Sequence, residues 1–162
     1  MDETVPLIQS FNFVVRFIPE ADGPGPLHGY TGGFAECSGL ELDTEIKDYP
    51  EGGRNDGLVR RVGRVKLVPL VLKRGMFITG GKTGRVDTAL WDWITAMIGG
   101  HRFPRYGGEI DVLDPSHSRS VATWHFARGL PSKVTGPTLN AKTGEVAIEE
   151  LHIVHEALWL EN

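Results

Sequence analysis

The alternation of apolar and polar residues predicts a protein built mainly from short β-strands. Residues 11–18 (FNFVVRFI) set three phenylalanines and Val15 on one face, because successive strand residues point to opposite sides of a sheet. We expect that face to be core. Similar patterns predict strands over 34–37, 68–72, 109–113, 120–127 and 145–160, and the pair 109–113 and 120–127 is typical of a hairpin.

The segment 38–75 predicts a long two-stranded ribbon with an unusually charged face. That face comprises Glu41, Asp43, Glu45 and Lys47 on the first strand and Arg60, Val62, Arg64 and Lys66 on the second. A turn centred near 54–55 places Glu45 opposite Arg64. The same register places Asp43 opposite Lys66. Two strands alone bury too little apolar surface to be stable, so the ribbon is either a solvated edge hairpin or one that pairs with copies of itself in a ring.

One helix is predicted over 86–98, where the apolar period changes from strand to helix. Leu90, Trp91 and Ile94 form its core face, Asp87 is the expected N-cap, and glycines at 99–100 end it. Together these elements predict a mainly β protein: an antiparallel β-sandwich or open barrel of about seven strands with one flanking helix. At 162 residues, the chain suits a single domain, 1–162.

Composition narrows the functional classes. The 21 glycines favour short strands and many turns. The formal charge of −4, without a basic cluster interleaved with aromatics, disfavours nucleic-acid binding by the monomer surface. A lone cysteine, Cys37, fits a reducing compartment, and we interpret it as a small buried residue. Neither a membrane-spanning run nor a signal pattern is recognisable, so synthesis in the cytoplasm is expected.

Candidate chemistry does not point to an enzyme. Gly80-Gly81-Lys82-Thr83 resembles part of a phosphate loop, but Met76 stands where that motif needs glycine. His152 and His155 lie three positions apart, which on a strand places them on opposite faces and prevents a shared metal ion. No serine, cysteine or carboxylate pair has an activating setting. We therefore expect no catalytic residues, no cofactor and no bound metal.

An ordered series of short segments covers nearly the whole chain: FAECSGL at 34–40, YPEGGRN at 49–55, LKRG at 72–75, LWDW at 90–93, WHF at 124–126, LP at 130–131, GPTLNA at 136–141, EVAIE at 145–149 and HE at 155–156. This series resembles the tail tube protein family of contractile phage tails and phage-tail-like contractile injection systems, which implies assembly in the bacterial cytoplasm. The resemblance implies a β-sandwich with a flanking helix that assembles as hexameric rings. These rings stack into a hollow tube, whose channel is lined by a continuous β-barrel to which the long hairpin contributes.

The resemblance also implies roles for particular residues and partners. The residues expected to face the channel are Glu41, Asp43, Glu45, Arg64 and Lys66. The loop expected to contact the next ring comprises Glu51, Gly52, Gly53, Arg54 and Asn55. Expected partners are other copies of the chain, sheath and baseplate proteins, and cargo or DNA that passes through the channel without specific binding. The finished protein would belong to a phage virion tail or an injection particle.

Two alternatives remain at this stage. The form of the turn at 49–55 is similar to that of tube-initiator relatives, so the chain could instead be an initiator or adaptor that links the tube to the baseplate. A different class is a small-molecule-binding β-barrel, in which inward strand residues line a closed apolar pocket.

Overall fold

The computed structural model describes residues 8, 12–20, 25–50, 52–53, 57–79, 84–100 and 105–161. Within them the chain forms twelve strands and one helix. In chain order these are β1 (Phe13–Pro19), β2 (Thr31–Gly32), β3 (Glu36–Ser38), β4 (Leu42–Tyr49), β5 (Val59–Leu67), β6 (Leu70–Gly75), β7 (Ile78–Thr79), β8 (Arg85–Val86), α1 (Ala89–Ile98), β9 (Tyr106–Leu113), β10 (Ser120–Thr135), β11 (Ile148–Val154) and β12 (Ala157–Glu161). The mainly β prediction with one helix is confirmed.

Eight of the strands form one antiparallel sheet in the order β2-β1-β9-β10-β11-β6-β3, with β12 also paired to β10. The 16-residue strand β10 joins two halves of this sheet. The first half contains β2, β1, β9 and β12, and the second half contains β11, β6 and β3. The first part of β10 pairs with β9 and β12, and its last part pairs with β11. The hairpin predicted from 109–113 and 120–127 is confirmed as β9 and β10.

The prediction of one continuous final strand over 145–160 is wrong in one respect: this segment forms two strands, β11 and β12. Ala127 faces Ala157, and Leu130 faces Val154, so both strands run along β10 in one ladder. The break lies opposite Arg128, whose φ is 56°, a left-handed conformation that few side chains adopt. We attribute the division of the sheet into two halves to this bend.

Aromatic side chains fill the core between the sheet and the helix. The Phe17 ring packs edge-on against those of Trp93, Tyr106 and Phe126, with centroids 5.9, 6.4 and 6.3 Å away. Edge-to-face geometry is the favoured arrangement for such rings. On the face of the first strand predicted to be core, Val15 and Phe17 are buried, Phe13 is half-buried, and Phe11 lies outside the described residues.

The helix buries only part of the stripe that the sequence suggested. Leu90 and Trp93 are fully buried, whereas Trp91 and Ile94 are half-buried and Ile98 is 76% exposed. The buried stripe follows the i, i+3, i+4 spacing of one helix face, which places Trp91 at its flank. The helix begins at Ala89 rather than at 86, and its N-cap is Thr88 rather than the expected Asp87.

Strands β4 and β5 continue the ladder of β3 and β6 beyond the large sheet. Ser38 faces Val71 and Leu42 faces Leu67, which is the same register on both sides of a short interruption. Gly39 stands at the interruption with a φ of +88°, and a Cβ there would overlap the carbonyl oxygen of Pro69. The ribbon is therefore an extension of the last strand pair of the sheet.

Candidate assembly surface

The ribbon formed by β4 and β5 is the most exposed regular structure in the described residues. Every residue of β4 is exposed, and most residues of β5 are too. In the described part of the chain the two strands pair only with each other. Such a ribbon leaves a row of unpaired backbone N–H and C=O groups along both of its edges, which other strands can recognise.

A β-bulge in β5 changes the predicted faces of the ribbon. Asp43 lies opposite Lys66, as predicted, but the register shifts after Thr44, and Ile46 lies opposite Val62. Glu45 consequently faces two residues of β5, Gly63 and Arg64, rather than Arg64 alone.

Glycine suits the extra position. A Cβ on Gly63 would come within 2.9 Å of the carbonyl oxygen of Glu45 and 3.4 Å of the Lys47 side chain. The placement of Arg60 and Val62 on the charged face was therefore wrong, because the bulge moves both to the opposite face.

The bulge separates the ribbon into a charged face and an apolar face. The charged face carries Asp43, Glu45, Lys47, Arg61, Arg64 and Lys66. The apolar face carries Leu42, Thr44, Ile46, Val62, Val65 and Leu67, and the ion-paired Asp48 and Arg60 lie at its outer end. Four of its side chains are more than half exposed, with Leu42 at 58%, Ile46 at 52%, Val62 at 71% and Val65 at 57%. These exposed apolar side chains make the face a candidate interaction site.

Near its outer end the ribbon is held by polar contacts. The Asp48 carboxylate lies 3.4 Å from Nε of Arg60, and the Arg61 guanidinium lies 5.1 Å from the centroid of the Tyr49 ring. The turn beyond includes Gly53, whose φ is +92°. Of the proposed contact loop, Gly52 and Gly53 are exposed, whereas Glu51, Arg54 and Asn55 lie outside the described residues.

Glu41, the first of the proposed channel residues, precedes β4. It is exposed, and its backbone N–H donates to the Gly39 carbonyl at 2.8 Å. Whether this residue and the four proposed channel residues on β4 and β5 face a channel remains a prediction.

At the far end of β6, a buried ionic cluster joins strands β6 and β11 to the helix and to the residue Asp87 that precedes it. Arg74 and Glu149 are each 1% exposed, and they lie opposite each other on β6 and β11. Nε of Arg74 donates to Oε1 of Glu149 at 2.5 Å, while the other carboxylate oxygen accepts from the Trp91 indole N–H at 2.9 Å. Nη1 of Arg74 also bonds Asp87 at 3.1 Å and the hydroxyl of Tyr30.

This cluster has a structural role, because its hydrogen bonds run between its own members rather than into a cleft, with only Nη2 of Arg74 lacking a partner among the described residues. Sequence reasoning missed it, although a signal was present. Arg74 is in step with Leu70 and Leu72, and Glu149 is in step with Leu151 and Ile153, so both charges fall on core-facing positions.

A pocket of about 290 Å³ lies between β3 and the first half of the large sheet. Its lining is mainly apolar: Phe13, Glu36, Cys37, Leu40, Ile110, Val112 and Trp124. Burial raises the pKa of the Cys37 thiol to about 12, so this thiol stays protonated at neutral pH and is a poor nucleophile.

The described residues were also searched for other kinds of site. They contain no cluster of three or more His, Cys, Asp or Glu side chains placed to hold a metal ion. Within the same residues, no helix has the length and apolar character needed to cross a membrane.

Solved structures share this fold across almost their whole length. A chain of the sheath-tube complex of an extracellular contractile injection system, PVC, in the extended state superposes with a TM-score of 0.75 at 19% identity, covering 96% of this chain and 91% of that one. A chain of the anti-feeding prophage baseplate gives 0.76 at 22% identity, covering 98% and 97%. A chain of the tube-terminating cap of the same particle gives 0.76 at 18% identity, covering 99% of both.

A type six secretion system protein is a more distant structural match, with a TM-score of 0.55 at 12% identity, covering 93% of this chain and 82% of that one. No curated protein sequence matches the chain significantly. The family described as T4-like virus tail tube protein gp19 matches residues 9–159. The chain therefore belongs to the T4-like virus tail tube protein gp19 family, a structural rather than enzymatic family, and is a component of a phage tail or of a contractile injection particle.

Proposed function

We propose that this protein is the repeating subunit of the inner tube, in which six copies form a ring and the rings stack around a polar channel. The observation that carries the proposal is the exposed apolar face of the β4 and β5 ribbon. Full burial of a valine, leucine or isoleucine stabilises a protein by about 1.5–3 kcal/mol. Covering the four half-exposed side chains would therefore contribute roughly 4–7 kcal/mol per subunit.

Copies of the chain are the natural cover for this face. The ribbon offers two free strand edges and an apolar face in one element, and it projects from the end of a sheet whose own strands are packed. A neighbour that pairs with an edge and packs on the apolar face would satisfy both at once. Membership of a tail tube family supports this arrangement.

The charged face then has a function of its own. Its six charged side chains, four of them positive, would line the channel with polar groups. A hydrated, charged wall lets cargo or DNA pass without strong apolar adhesion. In this proposal the turn at 51–55 extends to the neighbouring ring, and the outer surface of the tube meets sheath and baseplate proteins.

A second candidate is a subunit at one end of the tube, either an initiator at the baseplate or a terminator. Structural similarity supports an end subunit as well as it supports a subunit of the shaft, which is the repeating part of the tube. The TM-scores for sheath-tube, terminator, baseplate and cap chains are 0.75, 0.78, 0.76 and 0.76. Purified shaft subunits should polymerise into long tubes, whereas an end subunit should stop at single rings.

The proposal is tested by placing an aspartate on each face of the ribbon at neighbouring positions. Ile46→Asp introduces a charge on the apolar face, and Lys47→Asp introduces the same residue on the charged face. Rings or tubes would be counted by negative-stain electron microscopy, and assembly would be followed by light scattering. We expect Ile46→Asp to abolish assembly and Lys47→Asp to retain it, with both monomers folded by circular dichroism.

Two results would count against the proposal. A wild-type protein that stays monomeric at high concentration contradicts the ring subunit itself. Normal assembly of Ile46→Asp contradicts the role assigned to the apolar face.

A further inference from the structure

A row of alternating charges crosses the outer face of the half-sheet formed by β3, β6, β11 and the end of β10. The register places Glu36 opposite Lys73 and Lys73 opposite Glu150 on three neighbouring strands. On the fourth strand Lys133 lies opposite His152, one step diagonal to Glu150. The core-facing residues of β11 alternate with these, so the whole row lies on the side away from the core.

The charges in the row interact. Nζ of Lys73 lies 3.1 Å from Oε1 of Glu36 and 3.9 Å from Oε2 of Glu150. The hydrogen bond and charge of Glu36 raise the pKa of Lys73. A hydrogen bond from His152, with the charges of His152, Lys73 and Lys133, lowers the pKa of Glu150. From β3 to β10 the row therefore reads negative, positive, negative, positive.

The two ends of the row lie on the two edges of this half-sheet. Strand β3 is the last strand beside β6, and the Glu36 side chain is 56% exposed. At the other edge, β10 pairs with β9 only as far as Gly129, and the exposed Lys133 lies beyond that point. Among the described residues no strand covers either edge beside these charges.

Strand direction permits the two edges to join. Strands β3, β6, β11 and β10 are each antiparallel to the next, so β3 and β10 run in opposite directions. The β3 edge of one copy can therefore add to the β10 edge of another as a further antiparallel strand. Pro131 lacks a backbone donor, which favours alignment of the incoming strand with residues 133–135. Glu36 then falls opposite or diagonal to Lys133, within reach of a long side chain.

We propose that Glu36 of one copy pairs with Lys133 of the next copy around the ring, which closes the row of charges into a continuous alternating circle. This inference rests on the proposed ring and adds the edges and the charge pair that join its subunits. The contact is head-to-tail, since each copy contributes Glu36 to one neighbour and Lys133 to the other. Like charges at this contact oppose association, so the pair also selects the direction in which subunits add.

Two charge reversals and their mixture test the pair. In Glu36→Lys alone every contact brings two lysines together, and in Lys133→Glu alone every contact brings two glutamates together. In an equal mixture that alternates around a six-membered ring, every contact again joins opposite charges. We expect each single variant to need about tenfold or more protein to assemble, and the mixture to assemble close to the wild-type concentration.

Several measurements separate this contact from a general effect on folding. Circular dichroism and thermal unfolding of each monomer establish that it is folded. Lys142→Glu, in an exposed loop, is the control for Lys133→Glu, since both make the same change of charge. If a reversal unfolds the monomer, Glu36→Gln and Lys133→Gln replace it. For a true pair, the double glutamine variant loses no more assembly than either single one.

The outcomes distinguish this inference from the proposed function. If the wild type forms rings but both reversals assemble normally, or the mixture is no better than its components, the Glu36 to Lys133 contact is wrong and the ring stands. If the wild type forms no rings, the proposed function fails and the contact fails with it.

Discussion

The buried ion pair between Arg74 and Glu149 permits a quantitative prediction about stability. Replacing Arg74 by methionine keeps an elongated side chain among the rings of Tyr30, Phe34 and Phe77, whose centroids lie 5.5, 5.9 and 5.0 Å from the guanidinium. A thioether packs well against aromatic rings. The substitution therefore removes the charge and its hydrogen bonds while largely preserving the packing.

The expected loss of stability follows from the contacts that Glu149 keeps after Arg74 is replaced. The Glu149 side chain is 0% exposed, and without Arg74 it keeps only the hydrogen bond from the Trp91 indole among the contacts described above. Removing one partner of a buried ion pair costs about 3–5 kcal/mol, because it leaves an uncompensated charge. We expect the free energy of unfolding of Arg74→Met to fall by that amount.

Replacing both charged residues should recover part of the stability that Arg74→Met loses. Arg74→Met with Glu149→Met removes both charges of the pair, and such apolar replacements are often neutral or stabilising. Two groups then lose a partner: the Asp87 carboxylate, whose side chain is 14% exposed, and the Trp91 indole N–H. Nη2 of Arg74 is buried without a hydrogen-bond partner among the described residues, so the double replacement also removes an unsatisfied donor. The double variant should be more stable than Arg74→Met by about 2 kcal/mol or more.

Urea unfolding followed by tryptophan fluorescence measures these differences, at a protein concentration where light scattering detects only monomers. Arg60→Met is the matched control, since its ion pair with Asp48 has side chains that are 73% and 50% exposed and should contribute no more than about 1 kcal/mol. A loss below about 1 kcal/mol for Arg74→Met, or a double variant as unstable as the single one, would refute this reasoning.

Two further predictions concern turns. Gly39→Ala should lower the free energy of unfolding by about 1–3 kcal/mol or more, because Gly39 has a positive φ and an added Cβ would overlap the carbonyl oxygen of Pro69. Gly144→Ala is the control, since a Cβ there meets no atom within 4 Å, and it should change the free energy of unfolding little. Equal effects of the two substitutions would contradict the role assigned to Gly39. The Ser116 hydroxyl, with amide donors from Ser118 and Arg119, lowers the pKa of Asp114 from 3.8 to about 2. A carboxyl group with a lowered pKa stabilises the fold at pH values above its ordinary pKa, and this stabilisation is lost as the pH falls toward the lowered pKa. The melting temperature of the wild type should therefore drop more steeply from pH 4 to 2 than that of Asp114→Asn. Parallel profiles would show that this turn does not contribute to the acid sensitivity of the fold.

Much of the fold follows from local alternation. The phenylalanine face of the first strand, the β9 and β10 hairpin and the helix are all correct, because side-chain period reports which face of an element is apolar. The same reasoning misplaced the core stripe of the helix. Within 90–94 every residue except Asp92 is apolar, so composition alone does not indicate which side of the helix meets the sheet.

The exposed ribbon shows where local reasoning ends. Its existence, its exposure and the pairing of Asp43 with Lys66 were accessible from the pattern. The bulge at Gly63 was not, because an extra residue in one strand is defined only against its partner strand. That single residue moves Val62 and Arg60 to the face of Ile46 and moves Arg61 to the charged face, so Val62 joins the apolar face on which the proposed assembly depends.

The sequence by itself determined the strand-rich composition, the ribbon and the family resemblance, since these depend on residue order and short-range periodicity. Only the tertiary structure decided which distant residues meet. It placed Arg74 against Glu149 in the core, aligned Glu36, Lys73 and Glu150 across three strands, and left Lys133 at the opposite edge. The physical reason is that strand order and register arise from long-range pairing, in which the partner of a residue is set by the packing of the whole sheet rather than by its neighbours along the chain.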